Sequence, residues 1–75
     1  MNDVDAEAAQ QQNTKLVLDA LTASIATHRR AISDIDVMAK RGVMAADQAI
    51  ANRICHLAQL EGLERYLERH PELRR

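Results

Sequence analysis

From Leu18 onward the chain places residues alternately three and four positions apart on one line: Leu18, Leu21, Ile25, His28, Ile32, Ile35 and Ala39. That spacing is the a/d seam of a heptad repeat, with His28 as its polar member, and it suits a helix that lays one narrow stripe against another. A strand is excluded, because its side chains change face with a period of two. Three heptads at 1.5 Å per residue make a stripe roughly 30 Å long.

Gly42 decides where this helix ends. It follows Lys40 and Arg41, and cations in a last turn with a glycine just behind them form a helix stop signal. The sequence therefore predicts a helix over 13–41, a turn at 42–43 and a second helix over 44–70. Pro71 ends the second helix by disfavouring helical geometry at His70, which leaves 71–75 as a short tail. Asn13 or Thr14 is the expected cap of the first helix. Ala6 to Gln12 are helix formers without a bulky apolar side chain to dock, so 1–12 are expected as a polar segment, frayed or disordered.

The second helix is apolar over a wider arc. Val43, Ala46, Ile50, Ile54 and Leu57 form one stripe, and Ala49, Leu60, Leu63 and Leu67 widen it to about half the circumference. A turn this short forces antiparallel neighbours. Counting outward from it sets Ile35 near Ile50, Ile32 near Ile54, Ile25 near Leu57 or Leu60, and Leu21 near Leu63. The expected core and register residues are thus Leu18, Leu21, Ile25, His28, Ile32, Ile35, Ile50, Ile54 and Leu57. An apolar edge of Leu16, Val17, Leu60, Leu63, Tyr66 and Leu67 is left over and needs a further surface.

Size points the same way. A 75-residue monomer hides only about 60% of the surface its unfolded chain exposes. The lone Cys55 excludes an internal disulfide, and Tyr66 is the single aromatic. The expected fold is all-α: an antiparallel two-helix hairpin, turning at Gly42, that pairs with a second copy into a four-helix bundle.

Two clusters are candidates for chemistry. The antiparallel register brings His56 toward His28 with Cys55 and Arg53 beside it, a set that zinc or copper accepts. The competing reading is that His28 fixes the register of the seam, as buried polar residues at such positions do, and that Cys55 is a small buried hydrophobe. Arg29, Arg30, Arg53 and His56 form a possible anion or polar patch. Against it, Asp34, Asp36 and Asp47 stand where they can pair with these cations, while Glu61 with Arg65 gives a surface pair.

Several functions are disfavoured. The chain carries no Gly-rich phosphate loop, no His-Glu-x-x-His helix and no nucleophile elbow, and its serines Ser24 and Ser33 fall on helix surfaces. No catalytic residue, bound metal or cofactor is expected. The net charge of −1 gives no overall pull toward nucleic acid. No apolar run approaches the roughly 20 residues that span a bilayer, and the polar start lacks the pattern of a signal peptide. With an unpaired cysteine, the cytoplasm is the expected location, away from any membrane.

The first functional expectation is a non-catalytic protein-interaction module, a small dimeric helical regulator or inhibitor that binds a partner protein. The second is a hairpin dimer that binds structured RNA through its arginines, weakened by the lack of stacking aromatics. The third is a small-ligand or metal site in the bundle around His28 and His56.

Overall fold

A computed structural model describes residues 3–74; Met1, Asn2 and Arg75, the outer ends of the expected polar segment and tail, lie outside the described residues. Helix α1 spans Asp3–Lys40, helix α2 spans Ala46–Arg69, and a 3₁₀ turn at Pro71–Arg74 follows. No strand occurs among the described residues, and the two helices pack against each other as an all-α hairpin.

Helix α1 begins at Asp3 rather than at Asn13. Extending a helix costs far less than nucleating one, because each added residue brings its own hydrogen bond. The packed part supplies the nucleus, and Ala6 to Gln12 propagate it outward: residues 5–13 are exposed. Thr14 does not cap; its hydroxyl donates to the Gln10 carbonyl at 2.9 Å inside the helix.

The end of α1 is a Schellman motif. Val43 N–H donates to the Met38 carbonyl at 3.0 Å and Gly42 N–H to the Ala39 carbonyl at 3.1 Å. This geometry needs the left-handed backbone of Gly42, at φ 70°. Helix α2 starts at Ala46, two residues later than expected, because the chain runs extended through Ala45 at φ −63°, ψ 145°. No side chain caps it, but Asp47 places a carboxylate in the first turn, where the helix dipole favours it.

Ile25, Leu67 and Leu73 form the main buried cluster, with Leu18, Leu21, Leu60 and Leu63 packed on it. Ile35 and Ala49 are buried nearer the turn. The tail is ordered where a simple stop was expected: Leu73 N–H donates to the His70 carbonyl at 3.0 Å, and its side chain closes the open end of the hairpin.

The inner face of α2 differs from the expected one. Ala49, His56, Leu60, Leu63 and Leu67 line the seam, whereas Ile50, Ile54 and Leu57, expected inside, are exposed. Leu60, Leu63 and Leu67, expected on the leftover edge, are in or against the core. Both lines have helical spacing, and α1 is wide enough to cover one of them. The line that packs keeps a 4-3-4 run of Leu or His from His56 to Leu67 and lets Ala49 admit the backbones near the turn; the other ends in charge at Glu61.

Candidate interaction surface

The seam fixes how the two helices stand. His28 and His56, on facing helices, approach with 2.8 Å between their Nδ1 atoms, their rings tilted by 52°. At that distance one Nδ1–H donates and the other Nδ1 accepts. Both are half-buried, and the contact holds the antiparallel register that Gly42 sets. It is a hydrogen bond within the seam; no group of three or more His, Cys, Asp or Glu side chains that could hold a metal ion occurs among the described residues. Cys55 stands on the exposed side of α2 rather than in the core, accepting from Gln59 Nε2 at 3.6 Å.

One edge of the seam is laced with charge. Arg29 pairs with Glu64 at 3.1 Å and Arg53 with Asp36 at 3.4 Å, each across the hairpin. Two of the three arginines of the expected anion patch are therefore matched by carboxylates, and His56 of that patch points to His28. Arg30 is exposed beside them. Arg65 pairs with Glu61 at 3.1 Å, one turn away on α2. All three ion pairs are about half exposed or more, so each contributes at most a few tenths of a kcal/mol.

Beyond that charged edge lies the surface that the fold leaves uncovered. Val43, Ile50, Ile54 and Leu57 are 74%, 60%, 61% and 40% exposed. Ile50, Ile54 and Leu57 sit four and three residues apart, so they form one ridge, turned roughly 100° round α2 from the seam line. Beside the ridge run Ala51, Cys55, Ala58 and Gly62, all small and all exposed. A Cβ built on Gly62 meets nothing within 4 Å, so the hairpin itself has no need of a glycine there.

Of the edge expected from the sequence, Leu16, Val17 and Tyr66 are exposed, with Tyr66 stacked on His70 at a centroid distance of 4.2 Å. They do not join the α2 ridge: Leu16 and Val17 belong to α1, and Tyr66 stands on α2 nine residues beyond Leu57. Two open recesses mark the surface. One lies between the start of α1 and the C-terminal turn, at Gln10, Thr14, Leu18 and Leu73; the other lies at Thr22, Ala26 and Arg74.

The fold and surface thus define a helical hairpin with an uncovered apolar ridge. No family model matches the chain, and no curated protein or solved structure is significantly similar to it. No helix among the described residues is long and apolar enough to cross a membrane.

Proposed function

We propose that the chain is a non-catalytic protein-interaction module, a small helical regulator or inhibitor that acts by laying the α2 ridge against another polypeptide. One observation carries this reading: three large aliphatic side chains at helical spacing, Ile50, Ile54 and Leu57, stand in solvent on one face of α2. Presenting an amphipathic helix face to a groove or to another helix is a common mode of protein recognition, with anchors read at intervals of three and four. The charged rim at Asp36–Arg53 and Arg29–Glu64 borders the ridge as polar rims border protein interfaces. A cytoplasmic location fits the exposed, unpaired Cys55, since reducing compartments keep such thiols reduced.

The test is whether association depends on the ridge. Ile54→Lys puts a charge on a side chain that the hairpin does not bury, so the fold survives. Light scattering behind a sizing column, on purified chain and on chain reconstituted with proteins that co-elute from cells, is expected to show assemblies for the natural sequence and their loss in Ile54→Lys. Identical behaviour of the two chains under all these conditions overturns the reading.

A further inference from the structure

We propose that the His28–His56 pair is an acid-sensitive latch, which holds the hairpin shut while the two rings share a hydrogen bond and loosens its middle when both rings take a proton. The place of the pair in the fold gives it that leverage. It stands between the buried cluster of Ile25, Leu67 and Leu73 at the open end and Ile35 with Ala49 near the turn, so it joins two short stretches of apolar packing.

Geometry limits how many protons the contact accepts. The ring centres are 5.1 Å apart and the Nδ1 atoms 2.8 Å, values that two rings give when each aims its Nδ1 straight at the other. With both rings neutral, one Nδ1–H donates to the lone pair of the other. One added proton leaves the contact intact and makes it charge-assisted, because the charged ring still meets a lone pair. A second added proton removes that lone pair. Two N–H groups and two positive charges then face each other along one line, at a separation set for a hydrogen bond.

The surroundings do not offset that repulsion. From α1, Arg29 and Arg30 follow His28 directly, and Asp34 and Asp36 stand further toward the turn. From α2, Arg53 and Cys55 precede His56, and Glu61 and Glu64 follow it. Asp36 is held by Arg53, Glu64 by Arg29 and Glu61 by Arg65, and among the described residues no carboxylate forms an ion pair with either ring. The turn at Pro71–Arg74 carries Glu72 and Arg74 and packs at the open end, through Leu73 on Ile25 and Leu67. The folded pair therefore keeps one proton fewer than the unfolded chain, whose separated histidines each charge below about pH 6.5. The stability that the contact contributes is whole above that range and is lost as the pH falls, by up to about tenfold in the folding equilibrium constant for each pH unit.

Urea unfolding at one fixed chain concentration tests the latch against the double variant His28→Leu/His56→Leu, which takes up no proton at the seam. Between pH 7 and pH 5 the folding equilibrium constant of the natural sequence is expected to fall about tenfold further than that of the double variant. The comparison cancels His70, whose pairing with Glu72 strengthens on acidification, and the carboxylates, which take up protons mostly below about pH 5. The imidazole proton resonances of the natural sequence give a second readout that needs no variant: the folded pair is expected to gain one proton, not two, before unfolding begins. An equal pH dependence in the two chains overturns the proposal. So does a folded chain in which both rings are charged at pH 5 with the urea midpoint unmoved.

Discussion

Gly42 and the His28–His56 pair place the helices before any large apolar contact is counted. At φ 70° Gly42 takes the left-handed backbone that lets two amide groups cap the carbonyls of Met38 and Ala39. Open space surrounds its missing Cβ, so a substitution there acts through backbone strain alone. Gly42→Ala is expected to cost about 1 kcal/mol, read as a lower urea midpoint with an unchanged slope. The histidines act as a pair. Replacing either by Leu leaves the other ring without its 2.8 Å partner in a half-buried seam, a loss of about 0.5–1 kcal/mol. Replacing both restores a continuous aliphatic seam, so the double variant should melt above either single one. Additive effects of the two changes would show that the rings do not work as a unit.

Helix α1 is legible in the sequence because it carries one apolar stripe, and a single stripe has one side to bury. The turn is legible because Gly42 sits behind two cations, and with the turn known, the level of His28 against His56 follows. Helix α2 is ambiguous for the opposite reason. Its Ala49-to-Leu67 line and its Ile50-to-Leu57 line both have helical spacing, and periodicity alone does not rank them. What ranks them is length: α1 has apolar residues down to Leu18, so the line that continues to Leu67 gains contacts along the whole rod, while the other stops at Glu61. Pro71 reads as a terminator and hides Leu73, yet a lone leucine four residues beyond a helix end is a signal for a chain that folds back. Leu73→Ala should lower stability by about 2 kcal/mol, because it opens the cluster of Ile25 and Leu67. Removing residues 2–12 should reduce the far-UV helical signal while moving the melting temperature by no more than a few degrees, since residues 5–12 are all exposed and outside the buried cluster.

The molecule is a rod of 61 × 19 × 16 Å with a radius of gyration of 17.7 Å, where a compact globule of this length has about 11 Å. A rod one helix pair thick has no interior in three dimensions, and among the described residues no large side chain is completely shielded from solvent. Its stability as a single chain therefore rests on one seam and the cluster at its open end. Any second polypeptide that covers Ile50, Ile54 and Leu57 converts a two-helix layer into a bundle with a true centre. The consequence is a dependence of stability on concentration. If folding and pairing are coupled, a hundredfold rise in chain concentration stabilises the folded state by RT ln 100, about 2.7 kcal/mol for each dimer. Urea midpoints measured at 1 and 100 μM should separate accordingly for the natural sequence and coincide for Ile54→Lys, whose midpoint should lie at or below the lower value. Coinciding midpoints in the natural sequence would mean that the single rod carries all of its own stability, and that the ridge contributes nothing to it.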